Sequence, residues 1–272
     1  MLNFKIYGNA KLNWNATSRD YLQYRPGYPK IFFDTLRHLG IGLAGQDILD
    51  LGSGTGALAI PFAKEGARVT AMDLSEGQIR AGKEAARKQG VKIKFKVGPA
   101  EKTGLPNHAF DAITASMCWG YFDVRLMKRE VPRLLRPGRK LLVSTLIWER
   151  SKTGIVGQTE KLIAKYNPES RHGTRRGKAK VVPEWSQPWL RLKTFHEFLA
   201  DVPFTRESWR GRMRACRWIG ATLPAEQTEA FDREHEAILE RIAPARFDVP
   251  HRITIRIFEP VVAGMVDRSF HQ

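Results

Sequence analysis

Seven consecutive residues, Asp50-Leu51-Gly52-Ser53-Gly54-Thr55-Gly56, set an acid ahead of three glycines at alternate positions, at the end of an apolar run. Ile48 to Leu51 is short and apolar enough for a buried parallel strand, and Ala57 to Ala63 resumes with small and apolar residues suited to a helix. Glycine at such a junction allows positive φ and lets the backbone approach a bound molecule closely. A glycine turn can also be merely tight, so the neighbouring sequence has to decide. It does so at Val69-Thr70-Ala71-Met72-Asp73, a second short apolar strand whose acid stands seventeen positions after Gly56. A carboxylate at that strand tip can accept hydrogen bonds from both hydroxyls of a ribose. Ser75 and Gln78 have the spacing of a helix cap, and Ile79 to Gln89 is rich in helix formers. Asp73 and Leu74 therefore fall on an exposed strand-to-helix turn.

Gly52, Gly54 and Ala57 also satisfy the looser pattern of dinucleotide sites. There a helix N-terminus faces a pyrophosphate, and an acid such as Asp50 would add repulsion. S-adenosylmethionine has no phosphate and carries a sulfonium and an ammonium, beside which Asp50 is tolerable and useful. No metal-ligand set is expected.

Further motifs follow in order: Gly98-Pro99-Ala100-Glu101 with Leu105-Pro106, then Phe110 to Ser116, then Leu134-Leu135-Arg136-Pro137-Gly138 leading into Leu141 to Trp148. Over residues 12 to 148 the chain resembles the class I S-adenosylmethionine-dependent methyltransferases, in particular their small-molecule group. The resemblance implies that the backbone around Gly52, Ser53, Gly54 and Gly56 holds the methionine moiety. It implies Asp73 for the ribose, Leu74 for one adenine face, and Ala100 with Glu101 for the adenine edge, the product being S-adenosylhomocysteine. Met117, just after the fourth strand, belongs to the same set. Three residues depart from the pattern: Pro99 where the family often has Asp, Gly120 where relatives frequently carry His, and Arg139 where a second glycine is usual.

The implied fold is α/β, a Rossmann-like doubly wound, mostly parallel seven-stranded sheet. It has an inserted cap after the fifth strand and an antiparallel C-terminal strand. The sequence divides as a cover segment and first helix (1–40), a cofactor-binding core (41–149), a basic cap (150–192) and closing strands with two intervening helices (193–272). Lys30 to Leu39 reads as a helix, and Lys92 to Val97 alternates lysine with apolar residues, as suits an edge strand. Pro132 predicts a kink or a late helix start. Lys193 to Val202 predicts renewed sheet, Thr205 caps a helix to about Ile219, Pro224 begins another to Arg241, and His251 to Phe258 reads as the final strand. Ser170 to Lys180 is polar and basic enough to predict mobility.

At 272 residues the chain can bury a full core, and its two cysteines, Cys118 and Cys216, predict neither a disulfide framework nor a metal knuckle. No stretch has transmembrane length, and a cytoplasmic enzyme is expected. The net charge of +17 is concentrated: eleven Lys or Arg against three Glu from Arg150 to Lys193, and five Arg against one Glu from Thr205 to Arg217. Such a surface can attract nucleic acid or acidic small substrates, or be a solvated face paired to the acidic helix after Pro224.

Methyl transfer from a sulfonium needs an in-line nucleophile and a dry site, with a general base for some acceptors. Trp119 and Tyr121, after the fourth strand, are candidates for an aromatic wall, Asp123 lies in the same loop, and His196 is a candidate base if its strand turns it inward. Tyr21 and Arg25, in the segment through Tyr28, resemble a cover found ahead of the core in related enzymes, with Arg25 set to pair with the cofactor carboxylate. Arg210 and its neighbours Arg206, Arg214 and Arg217 are candidates for an acidic acceptor, and Trp209, Met213 and Cys216 form a separate apolar stripe. The leading expectation is methyl transfer to a small organic acceptor. The alternatives are an RNA or protein methyltransferase using the basic insertion, or a non-catalytic cofactor-binding module. The acceptor atom and the oligomeric state are left open.

Overall fold

A computed structural model describes residues 12–171 and 180–261. Seven strands form one sheet in the order β3-β2-β1-β4-β5-β7-β6: β1 (Asp47–Leu51), β2 (Arg68–Asp73), β3 (Ile93–Val97), β4 (Phe110–Ser116), β5 (Leu135–Trp148), β6 (Leu190–Thr205) and β7 (Arg246–Pro260). The first five run parallel, and β7 pairs antiparallel with both β5 and β6. The order reverses between β1 and β4. In open sheets of this kind, the crevice beyond the carboxyl ends of the strands at that reversal takes the ligand.

Alternation along the strands feeds two cores. Ile48, Val69 and Ala112 face Tyr28, Phe32 and Leu36 from α2 (Lys30–His38) and the turn before it, whereas Leu49, Met72 and Ile113 face Met127, Val131 and Leu134 of α5 (Val124–Leu134). Every one of these side chains is nearly or fully buried, at roughly 1.5–3 kcal/mol for a large aliphatic one. Helix α3 (Ala59–Lys64) follows the glycine loop, and α4 (Glu76–Lys88) follows β2, capped by the Ser75 hydroxyl accepting from Gln78 N at 3.2 Å.

β3 takes the sheet edge, as its lysines predict. The fifth strand begins earlier than the sequence suggests: Leu135 already pairs with Phe110, and Arg136 to Arg139 form an irregularity before Lys140 meets Ala112. The late start expected from Pro132 does not occur, because Asp123 caps α5 and Pro132 falls in its last turn. Beyond β5, α6 (Gly154–Tyr166) packs with α7 (Arg206–Arg214) and α8 (Ala225–Ile242) around Trp209, Phe231 and Leu239. The ends of β6 and β7 join this third core through Val202, Phe204 and Val249. The elaboration on the sheet therefore combines α6 with the two closing helices. Most of the Ser170 to Lys180 stretch lies outside the described residues.

Candidate active site

The three glycines of the first loop have φ of +61° at Gly52, +55° at Gly54 and +91° at Gly56, backbone states that L side chains rarely adopt. Space is as tight as conformation: a Cβ on Gly52 would lie 2.7 Å from the Cβ and Sγ of Cys118. Asp73 fastens this loop to the next. Its Oδ2 accepts from Gly54 N at 2.8 Å and its Oδ1 from Ser75 N at 2.9 Å. Burial raises its pKa against those amide bonds. Leu74 beside it is 73 % exposed, an apolar face standing at the mouth of the crevice.

Asp50 is buried at the end of β1 and accepts from the Thr114 hydroxyl at 2.7 Å. Burial pushes its carboxyl up to about 7; the Thr114 bond opposes this and the charge of Asp73 adds to it. Opposite, β4 is followed by Met117, a non-glycine residue at φ +62°, whose N–H donates to Ser144 O at 3.0 Å. A strained residue at a strand tip over a crevice is a frequent mark of a functional site. Ala100 is buried, and Glu101 Oε1 accepts from Asp123 N at 2.9 Å, tying the third loop to the start of α5. The Cys118 thiol donates to Leu51 O at 3.0 Å and burial raises its pKa, so it is a packed thiol.

The cover ahead of the core is helix α1 (Trp14–Tyr24). Asn15 Oδ1 accepts from Ser75 Oγ and Gly77 N, both at 2.8 Å, and Gln78 Nε2 donates to Trp14 O at 3.3 Å. The Tyr21 ring comes to 3.5 Å from where a Gly54 Cβ would stand, and the Arg25 guanidinium lies 4.7 Å from that ring's centroid. Tyr28 follows, its hydroxyl bonded to Ser116 Oγ and its pKa pushed up to about 12 by burial. Together Tyr21, Arg25, Tyr28, Asp50, Ser53 and Met117 surround a cavity of about 20 Å³. A larger groove of about 430 Å³ opens behind the loop between α2, α3 and α4; it shares Tyr21 and Arg25 but lies away from Asp73 and Met117.

Three sequence candidates stand elsewhere. His196 is exposed on β6, the outer edge strand, and does not turn inward. Arg210 is drawn to α8, pairing with Asp232 at 2.6 Å and with Glu236. Trp119 is only 4 % exposed and packs among Phe122, Trp185 and Trp189 in the core beneath α5. Tyr121 meets Trp14 of α1 edge-on at 5.9 Å, at the junction of cover and crevice, and does not line the small cavity. The arginine that does turn inward is Arg212, which sits on the same face of α7 as Trp209 and Met213. A charged residue inside an apolar helical stripe was the signal for it.

The fold and these loops define a Rossmann-like α/β chain whose glycine loop, Asp73 and Met117 border the crevice at the carboxyl edge of its sheet. A family model described as a methyltransferase domain matches residues 48–138. A ubiquinone biosynthesis O-methyltransferase of Xanthomonas oryzae pv. oryzae is 32% identical over 181 residues, covering 64% of this chain and 72% of the relative. One from Xylella fastidiosa is 29% identical over 177 residues, covering 64% and 70%. Among solved structures, YcgJ of Bacillus subtilis aligns over 84% of this chain and 98% of its own at TM-score 0.51 and 19% identity. YjhP of E. coli aligns over 89% and 98% at TM-score 0.53 and 17% identity. Both share the fold. The chain belongs to the class I S-adenosylmethionine-dependent methyltransferases, and it is an enzyme of that family.

The residues present fit that methyl donor. Ser53 Oγ is enclosed without a partner among the described residues, Asp73 keeps lone pairs free beyond its two amide bonds, and Leu74 offers an exposed apolar face. Among the described residues no helix is long and apolar enough to cross a membrane.

Proposed function

We propose that this chain methylates a small organic acceptor by in-line transfer at the cavity between α1, the glycine loop and the end of β4. The observation that carries this reading is the cover. Helix α1 is hydrogen-bonded onto the start of α4 and lays Tyr21 on Gly54, leaving a narrow, partly open space of about 20 Å³. A cover that closes so far suits a molecule that is engulfed, with α1 lifting to admit it, better than a polymer laid across an open groove.

When bound, S-adenosylmethionine supplies an electrophilic methyl on a sulfonium. In this reading Asp73 accepts from the ribose hydroxyls, Leu74 and Ala100 flank the adenine with Glu101 at its edge, and the amides from Gly52 to Gly56 take the methionine moiety. Arg25 pairs with the α-carboxylate, and Asp50, half ionised near neutral pH in the unliganded fold, is drawn toward its charged form by the positive centres above it. Met117 and Tyr21 exclude water where the methyl moves. Proximity and a dry site supply most of the rate, as effective concentrations in ordered sites can reach ~10⁵ M or more.

The relatives' name, ubiquinone biosynthesis O-methyltransferase, supports a small-molecule acceptor with oxygen as the methylated atom. Charge supports a nucleic-acid acceptor less than the sequence suggests, since Arg206, Arg210 and Arg214 on α7 are engaged by Ala243 O, Asp232 and Asp20. The test is incubation of the purified protein with methyl-labelled S-adenosylmethionine and a cell extract split by dialysis. Label is expected in a product of the dialysable fraction that separates from the unreacted donor by chromatography. Label confined to RNA or protein would overturn the reading.

A further inference from the structure

Arg212 is 4 % exposed, and its Nη1 is enclosed without a hydrogen-bond partner among the described residues. Its guanidinium lies 5.0 Å from the Trp148 ring centroid, an attraction that supplies no acceptor for its N–H groups. Its neighbours on α7 contrast with it, since Arg210 and Arg214 both reach Asp232. Arg212 has no ion pair with a carboxylate among the described residues. Instead burial, and then the charge of Arg25, depress its pKa to about 10, which leaves it protonated at neutral pH. Arg212 is thus a buried cation without a carboxylate partner among the described residues, an arrangement that costs a fold heavily unless a bound anion offsets it.

A second enclosed polar atom lies in the same cluster. His251 is 1 % exposed and pairs across the β5–β7 ladder with Trp148. Its Nδ1 lies 2.8 Å from Val249 O, so in the neutral ring Nδ1 donates and Nε2 keeps a lone pair, and that Nε2 has no partner among the described residues. Burial, then the charges of Arg212 and Arg25, hold this imidazole neutral, with a pKa of about 4. Leu146, which lines the small cavity, shares its face of β5 with Trp148 two residues on. The Arg212–His251 cluster therefore stands one pleat beyond the cavity along β5.

Resting on the methyl-transfer reading above, we propose that Arg212 binds a carboxylate of the acceptor, leaving Arg25 to the carboxylate of the cofactor. Guanidinium matches carboxylate in a two-point geometry that an ammonium does not reproduce. The acceptor class is then a small organic acid, and Nε2 of His251 offers a bond to a hydroxyl or N–H on the same molecule.

The experiment is calorimetric titration of protein saturated with S-adenosylhomocysteine, using benzoate against benzamide and hexanoate against hexanamide. The wild type is expected to bind at least one acid over its amide. Arg212→Met should weaken that acid by about ten- to a hundredfold, the range for one or two charge-assisted hydrogen bonds. Its affinity for S-adenosylhomocysteine should not change, which also shows that it is folded. Its melting temperature should hold or rise, because an uncompensated buried charge has gone. If Arg212→Met does not fold, Arg212→Lys should keep the acid-over-amide preference with lower affinity, and Arg25→Met should weaken S-adenosylhomocysteine but not the acid. No acid preference in the wild type, or unchanged acid binding in Arg212→Met, overturns the proposal. So does an Arg212→Met variant that loses S-adenosylhomocysteine instead, since that would assign the guanidinium to the cofactor. Failure of the wild type to bind S-adenosylhomocysteine at all would defeat the methyl-transfer reading itself.

Discussion

Replacing Asp73 by Asn changes few atoms and should cost the site dearly. The carboxylate uses one oxygen for Gly54 N at 2.8 Å and the other for Ser75 N at 2.9 Å. An asparagine has one acceptor oxygen, so its NH₂ must oppose one of those two amides, donor against donor. A hydrogen bond to a charged group contributes about 1.5–3 kcal/mol, and a buried donor left without a partner costs ~1–3 kcal/mol. Partial access of water to Asp73 lowers both figures, so we expect Asp73→Asn to lose about 1–3 kcal/mol of stability. On the ligand side, loss of one charge-assisted bond to a ribose hydroxyl weakens S-adenosylhomocysteine by about tenfold or more. Asp73→Ala should lose at least as much affinity. Urea unfolding measures the first quantity and calorimetry the second. A folded variant with wild-type affinity would refute the ribose role, and an Asp73→Asn protein as stable as the wild type would refute the tie between the loops.

Asp50 carries a pH signature. Its folded pKa is raised to about 7, so between roughly pH 4 and pH 7 the folded chain holds a proton that the unfolded chain has released. Stability should therefore fall as pH rises through that window, by as much as ~4 kcal/mol, and Asp50→Asn should flatten the slope in urea titrations across pH. Gly52→Ala sets a Cβ 2.7 Å from Cys118 at a φ of +61°, and should lower the melting temperature and abolish S-adenosylhomocysteine binding; a variant that binds normally would show the loop to be more pliant than its packing implies. Trp119→Ala should destabilise by about 3–5 kcal/mol through loss of its contacts with Trp185 and Trp189, a cost that a side chain facing an open site would not incur. Asp232→Asn should destabilise by about 1–3 kcal/mol, because Arg210 and Arg214 both pair with it in a partly buried setting; a neutral result in thermal unfolding would return those arginines to a solvated face.

What the sequence by itself determined is the part encoded within a few residues. The positive φ of the three glycines, the cap at Ser75, the acid at the end of a short apolar strand and the lysine alternation of β3 are each set by local sterics and hydrogen bonding. They appear in the structure where they were expected, as does the cap at Thr205, whose hydroxyl accepts from Ser208 N at 3.1 Å. The beginning of β5 was not local, since Leu135 joins the ladder only because Phe110 is there to receive it. Nor was the orientation of polar side chains. His196 is exposed because β6 closes the sheet with no neighbour on its outer side, and Arg210 is held outward by Asp232 and Glu236 of α8, whose sequence lies more than twenty residues on. Arg212, two residues further along the same helix, is carried inward by the packing of Trp209 and Met213 into the third core, and there lies 5.0 Å from the Trp148 ring. Helical spacing places a residue on a face, but which face is buried depends on the elements packed against it. The elements of the proposed cofactor site could therefore be read from the chain, and the inward setting of Arg212 only from the fold.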